Sequence, residues 1–185
     1  MFENFRVYLR ALEPEDYKKS IIWRNDDEIW GMVGGPKHFV SNAYEKKWVE
    51  DAIFNTSNIT LAICLKDTDE YIGNAYITDI NWINRSAHAP SMIGEKKYWS
   101  AGLATEARIL LLYFAFYERG FNRIYAHILE DNIGSQRMCE KCGYKKEGLL
   151  RESVYKNGTF KNQVVMSVLR RDFDIELDNF LSKNQ

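Results

Sequence analysis

Tyr98-Trp99-Ser100-Ala101-Gly102-Leu103-Ala104-Thr105-Glu106-Ala107 leaves a short strand-like run and enters the longest helical pattern of the chain. From Ala101 to Arg119 apolar residues fall at helical spacing (Leu103, Ala107, Leu110, Leu111, Phe114), and Gly120 stands at the expected stop. Apolarity on nearly every side predicts burial against a sheet. A helix N-terminus presents unpaired N–H groups and a partial positive charge, and the small residues Gly102 and Ala104 let an anion come close to the backbone. The N–H groups of roughly Ser100 to Thr105 then hold an anionic ligand with neither Lys nor metal required. The plainer alternative is a helix start capped by Ser100.

Outward from this junction the pattern alternates between strand and helix. Phe5 to Leu12 reads as a strand, and Glu13-Pro14-Glu15-Asp16 opens a helix that ends near Asp26. Ser41 and Asn42 are candidate caps for a second helix, Asn42 to Phe54, with Glu45 completing a capping box from Asn42. Ile59 to Leu65 and Tyr71 to Ile80 form a hairpin, and Ala87 to Ile93 adds a third strand. Beyond the long helix come a strand at Arg123 to Leu129 and a helix at Gly134 to Lys141. A hairpin of Tyr144 to Val154 with Thr159 to Leu169, turning at Asn157-Gly158, completes the order. The reading is a single α/β (α+β) domain over residues 1–185, a mixed, mostly antiparallel sheet flanked by helices.

Composition narrows the function. The chain has 185 residues, 45% of them apolar, with 25 Lys and Arg against 26 Asp and Glu. The resulting net charge of −1 argues against nucleic acid as a partner. The longest apolar run, Ile109 to Tyr117, is nine residues against the roughly 20 that a membrane helix needs, so no membrane is expected and the location is read as cytoplasmic. Cys139 and Cys142 lack a second ligand pair at zinc spacing, so they and Cys64 are read as core and no metal is expected. Aromatic content is high, 14% with five Trp and eleven Tyr, and serves core, interface or a ligand pocket.

A second polar cluster, Glu130 to Tyr144, stands at the next strand end. Asn132 offers an amide to a ligand there, and Ser135 a hydroxyl one helical turn later; capping is the alternative role of both.

Together the two clusters resemble the GNAT superfamily of acyl-coenzyme A N-acyltransferases, in particular the branch that includes ribosomal-protein N-terminal acetyltransferases. Val7 to Asp16 looks like the family's "LRPLxxxD" opening and Trp23-Arg24-Asn25-Asp26 like its "WRND". Tyr98 to Ala107 matches "YWGKGxATEA" with Ser100 and Ala101 in place of Gly and Lys, and Asn132 to Tyr144 matches "NxxSxxxxxKxGF". Asn157 to Asn162 matches "dGxYxD", with Asn162 for the usual Asp, and also resembles the "NGxYRN" hairpin of bacterial spermidine acetyltransferases.

The resemblance implies that acetyl-CoA lies in a V-shaped opening between two central strands, near Ala87–Ile93 and from Arg123. Edge groups of Met92 and Ile93 pair with the pantetheine, and Trp99, Ser100, Ala101, Gly102, Leu103, Ala104 and Thr105 carry the pyrophosphate. Asn132 and Ser135 meet the arm near the thioester. It also allows a homodimer through the sheet edge or the last hairpin.

The reaction it implies is direct attack by an amine acceptor, a protein N-terminal α-amine or a small amine such as a polyamine, amino sugar or aminoglycoside. A non-catalytic acyl-CoA sensor is the reading from another class. An alkylamine of pKa about 10.4 is neutral in only about one molecule in 2,500 at pH 7, a penalty of roughly 4.6 kcal/mol, so a base or a neutralising pocket is needed. His88 stands where relatives often carry a glutamate, with His127 and His38 behind it as candidates. The glutamate that some relatives place in the last hairpin is matched by Val154. Ser135 matches the hydroxyl that protonates the leaving thiolate. For the acceptor, Trp23, Asp26, Trp30 and Trp82, with Asp27, Glu28 and Tyr44, are candidates for an aromatic and acidic cage around a cation; the other reading is core tryptophans beside a solvated acidic loop.

Overall fold

The computed structural model describes residues 2–183. In chain order the strands are β1 (Val7–Ala11), β2 (Ile59–Leu65), β3 (Tyr71–Asn81), β4 (Ser86–His88), β5 (Ser91–Ile93), β6 (Arg123–Leu129), β7 (Lys145–Lys156) and β8 (Thr159–Leu169). The helices are α1 (Tyr17–Arg24), α2 (Asp27–Met32), α3 (Asn42–Ile53), α4 (Leu103–Tyr113), α5 (Ile133–Lys141) and α6 (Arg170–Lys183). The sheet runs β1-β2-β3-β4-β6-β8-β7, with β5 paired to β3, and only the β4–β6 pair is parallel.

The main core packs Ile63, Ile72, Ile77 and Ile124 of the sheet against Leu111 and Leu112 of α4, Phe116 just beyond it and Phe173 of α6. A smaller core holds Leu12, Trp23, Ile29, Val49 and Tyr71 under α1–α3. Continuous burial explains why α4 is apolar on nearly every side. Its helical signal runs on through a π turn at Phe114–Glu118, as the periodicity to Arg119 predicts.

Four local details differ from the sequence expectations. The third strand divides into β4 and β5 around Ala89-Pro90, because proline has no N–H for a ladder. Asp26 caps an extra helix, α2, accepting from the N–H groups of Glu28 and Ile29. Ser41 rather than Asn42 caps α3, and Glu45 turns inward, fully buried, to bond Ser20 Oγ at 2.6 Å and Arg24 Nε at 3.1 Å. A closing helix, α6, follows β8. At Asn157-Gly158 both φ angles are positive (51° and 80°), the two-residue turn that the Asn-Gly pair predicts.

Candidate active site

The parallel pairing of β4 with β6 lasts three residues: Ser86, Ala87 and His88 against Arg123, Ile124 and Tyr125. Its last bond runs from Ala89 N–H to Tyr125 O, 3.1 Å. The next ladder donor to Ala89 O in this register is the N–H of His127. The Arg108 guanidinium occupies that acceptor instead. Beyond it the chain is drawn onto β3, with Tyr76 N–H on Pro90 O (2.9 Å) and Gly94 N–H on Ile72 O (2.8 Å). β5 and β6 therefore diverge, opening a cleft of about 940 Å³ whose walls include Ser91, Met92 and Ile93 on one side and Ala126, His127, Ile128 and Leu129 on the other.

At the mouth of the cleft is the start of α4. Ser100 and Gly102 have φ of 60° and 84°, and Gly102 sits at the cap with no side chain to satisfy the first amides. Thr105 and Glu106 N–H both return to Gly102 O, so the N–H groups ahead of them have no helical acceptor. The turn is held from three sides. Trp99 Nε1 donates to Ile93 O (2.8 Å); Arg6 donates to Ala101 O (2.9 Å) and pairs with Glu106; Glu70 accepts from Lys19 (2.7 Å), Tyr98 Oη (2.6 Å) and Lys97 (3.1 Å). Lys19 first, then Tyr98, hold the Glu70 carboxyl down at about 2. Trp99, Ser100, Gly102, Ala104 and Thr105 line the cleft; Ala101 and Leu103 are not among its lining residues, the Ala101 carbonyl accepting from Arg6 and Leu103 anchoring the helix in the core.

Met92 pairs with Asn74 between the Pro90 and Gly94 bonds, which turns the backbone of Met92 toward β3 and leaves Ser91 and Ile93 with their N–H and C=O groups on the open edge. The edge is thus Ser91 and Ile93 instead of Met92 and Ile93, and Met92 contributes its side chain to the wall. Sequence alone misses this because it requires the β3–β5 register.

Asn132 and Ser135 both line the cleft. Asn132 Oδ1 accepts from Ser135 N–H at 3.0 Å, and its Nδ2 donates to Met32 O at 3.0 Å. The amide thus caps α5 and tethers the segment after α2 across the cleft. Lys156, 8% exposed, holds the same segment through Val33 O and Gly35 O.

His88 stands at the apex. Thr78 Oγ1 lies 3.5 Å from the His88 carbonyl and 3.3 Å from Nδ1. With the Thr78 hydroxyl donating to the carbonyl, its oxygen accepts Nδ1–H, which assigns the free lone pair to Nε2. Nε2 is buried without a partner. Burial first, and then His127, push His88 down to about 4. The exposed His127 ring lies 5.5 Å away on the same sheet face, and Val154 pairs with Lys161 in the last hairpin.

The expected cage does not assemble. Trp23 is 2% exposed, packed on Tyr71 and against Gly94, where even a Cβ would strike its ring. Trp82 stacks on Phe121 just beyond Asn81. Tyr71 and Asn81 are the two ends of β3, about 33 Å apart. Asp26 is committed to capping α2 and to Lys96 at 2.8 Å, and Trp30 already faces Arg24 and Lys156. Composition groups these side chains, and burial gives them other work. Free thiols at Cys64, Cys139 and Cys142 are buried, and burial pushes Cys142 up to about 12.

Two parallel strands splayed at a proline, with a glycine-opened helix N-terminus facing the gap, define the class: an acyl-coenzyme A N-acyltransferase. Residues 6–145 match the family model described as Acetyltransferase (GNAT) domain, and the chain belongs to that family. It is 26% identical over 181 residues to a probable N-acetyltransferase, YjcK, of Bacillus subtilis, covering 93% of this chain and 98% of that one. A putative ribosomal N-acetyltransferase, YdaF, of the same organism is 29% identical over 178 residues (94% and 96% covered). The spermidine N-acetyltransferase of Vibrio cholerae, solved with CoA and spermine, superposes with a TM-score of 0.84 at 23% identity over 91% of this chain and 98% of that one. The protein is therefore a GNAT N-acetyltransferase, an enzyme of a family that uses acetyl-CoA. Among the described residues no helix is long and apolar enough to cross a membrane.

Proposed function

We propose that the chain moves an acetyl group from acetyl-CoA to a primary amine of a small cationic acceptor of the polyamine kind. The observation that carries this reading is the surface beside the apex. Tyr125 lies 5.4 Å from His88 and 5.5 Å from His127, ring to ring, and the exposed Asp79 acts electrostatically on both His88 and Tyr125. Among the described residues no cation forms an ion pair with Asp79; Arg123 already lies 5.3 Å over the Tyr125 ring, so the free carboxylate beside the two imidazoles is the place offered to an ammonium. The likeness to spermidine acetyltransferases supports it.

In this mechanism the pyrophosphate of acetyl-CoA sits on the free N–H groups of Ser100 to Ala104, and the pantetheine arm runs along the Ser91 and Ile93 edge as an added strand. The amine nitrogen attacks the thioester carbon; the C=O π pair moves to oxygen, then returns as the C–S bond breaks. His88 takes the nitrogen's proton, and Ser135 passes one from solvent to the departing sulfur, regaining its own as it gives it. With His88 near 4, direct removal of a proton from a solvated ammonium of pKa about 10.4 costs roughly 9 kcal/mol, so the amine enters neutral and His88 acts after N–C bond formation has acidified the nitrogen. His127 passes the proton on to solvent.

A thiol-release assay across polyamines, amino sugars, aminoglycosides and N-terminal peptides tests the reading. Polyamine turnover weakened about tenfold in KM by Asp79→Asn is expected. A signal confined to peptides points instead to a protein α-amine, a reading beside which stands the likeness to YdaF, a putative ribosomal N-acetyltransferase. No thiol released with any amine favours a sensor.

A further inference from the structure

Arg108 is the one charged side chain in the run Ala107–Tyr117, and it is 2% exposed. Its partners are all neutral: Ala89 O, Ser91 Oγ at 3.0 Å and Tyr144 Oη at 3.3 Å, with the Tyr144 ring 5.7 Å away. Burial pushes the Tyr144 hydroxyl and both nearby thiols, Cys139 and Cys142, upward, so none of them is an anion at neutral pH. Nε has no hydrogen-bond partner at all. A guanidinium cannot escape this situation by deprotonating, and an uncompensated buried cation costs several kcal/mol. The side chain also lines the cleft, one helical turn below Ala104 and Thr105. Its contacts to Ala89 and Ser91 place it at the apex, about 7 to 13 Å along the chain from Ile93 at the mouth, a span that an extended pantetheine arm can cover.

We propose that Arg108 is the charged oxyanion contact of this active site, its guanidinium facing the thioester oxygen and balancing the negative charge that oxygen gains when the amine attacks. The missing anion is then the transition state itself, and the guanidinium is held in place beforehand by Ala89 O, Ser91 Oγ and Tyr144 Oη, the first of which is the acceptor that the β4–β6 ladder would use next. Attack moves the π pair onto the oxygen beside Arg108; collapse returns it and expels the thiolate, and Arg108 neither gives nor takes a proton. The inference rests on the acetyl-transfer reading but not on which amine is the acceptor.

The test compares Arg108→Lys and Arg108→Gln with wild type, using acetyl-CoA labelled with carbon-13 at the carbonyl. Expected are wild-type-like acetyl-CoA affinity in both variants, kcat reduced about a hundredfold in Arg108→Gln and under tenfold in Arg108→Lys, and a bound carbonyl infrared band at lower wavenumber in wild type than in Arg108→Gln. Equal kcat loss in both variants, or an unchanged band, overturns the proposal while leaving acetyl transfer standing. A terminal-carboxylate donor such as succinyl-CoA outperforming acetyl-CoA in wild type but not in Arg108→Gln also overturns it, because the partner is then a carboxylate. If Arg108→Gln does not fold, a wild-type carbonyl band no lower than that of acetyl-CoA in water overturns the proposal in its place. Wild type failing to bind acetyl-CoA overturns both readings.

Discussion

His88 is neutral around pH 7, because burial holds it well below the ordinary histidine value. Its folded value, about 4, lies below the 6.5 of an unfolded histidine, so between these pH values the unfolded chain binds more protons and stability rises with pH. The contribution is complete above pH 6.5 and is lost as pH falls toward 4, at most about 3 kcal/mol. Urea titrations should show this slope in wild type and its flattening in His88→Asn. In the same variant kcat should fall at least tenfold with acetyl-CoA affinity kept, and Ser135→Ala should behave likewise; unchanged turnover removes either residue from the proton path. His88 and Ser135 were legible as candidates because each lies inside a local motif. Arg108 left a signal too, a lone charge in an apolar helix, but only the packing of α4 under the β4–β5 joint tells what it faces.

At the level of the element, the start of α4 is the best-specified part of the proposed donor site, since a strand end, two small residues and an apolar helix are contiguous in sequence. Gly102 is required there by its φ of 84°. An alanine in that conformation costs about 1–2 kcal/mol, and its Cβ meets Arg6 at 3.3 Å, so Gly102→Ala should lower stability by that amount and raise the KM for acetyl-CoA several-fold with kcat little changed. A KM equal to wild type, measured by steady-state kinetics, would remove the turn from donor binding. The division of β4 from β5 was less legible. Pro90 marks it, but which of Ser91, Met92 and Ile93 faces the open edge follows from the pairing of Met92 with Asn74, and period-two patterns flip face with a one-residue slip.

Across the whole molecule, the order of elements in the sequence was enough to place a mostly antiparallel sheet among helices, while its opening came from the family resemblance, and the proposed acceptor side depended on which aromatic residues the two cores claim. Trp23 went to the smaller core and Trp82 to the far end of β3, so the surface proposed for the acceptor is Tyr125 and two histidines that no local pattern joins. The central claim is that the gap between β5 and β6 is the acyl-donor site. Amide-resolved hydrogen exchange with and without CoA tests it most directly. Protection confined to Ser91, Ile93 and the amides of Ser100 to Ala104 is the predicted result; protection elsewhere, with these amides unchanged, contradicts it.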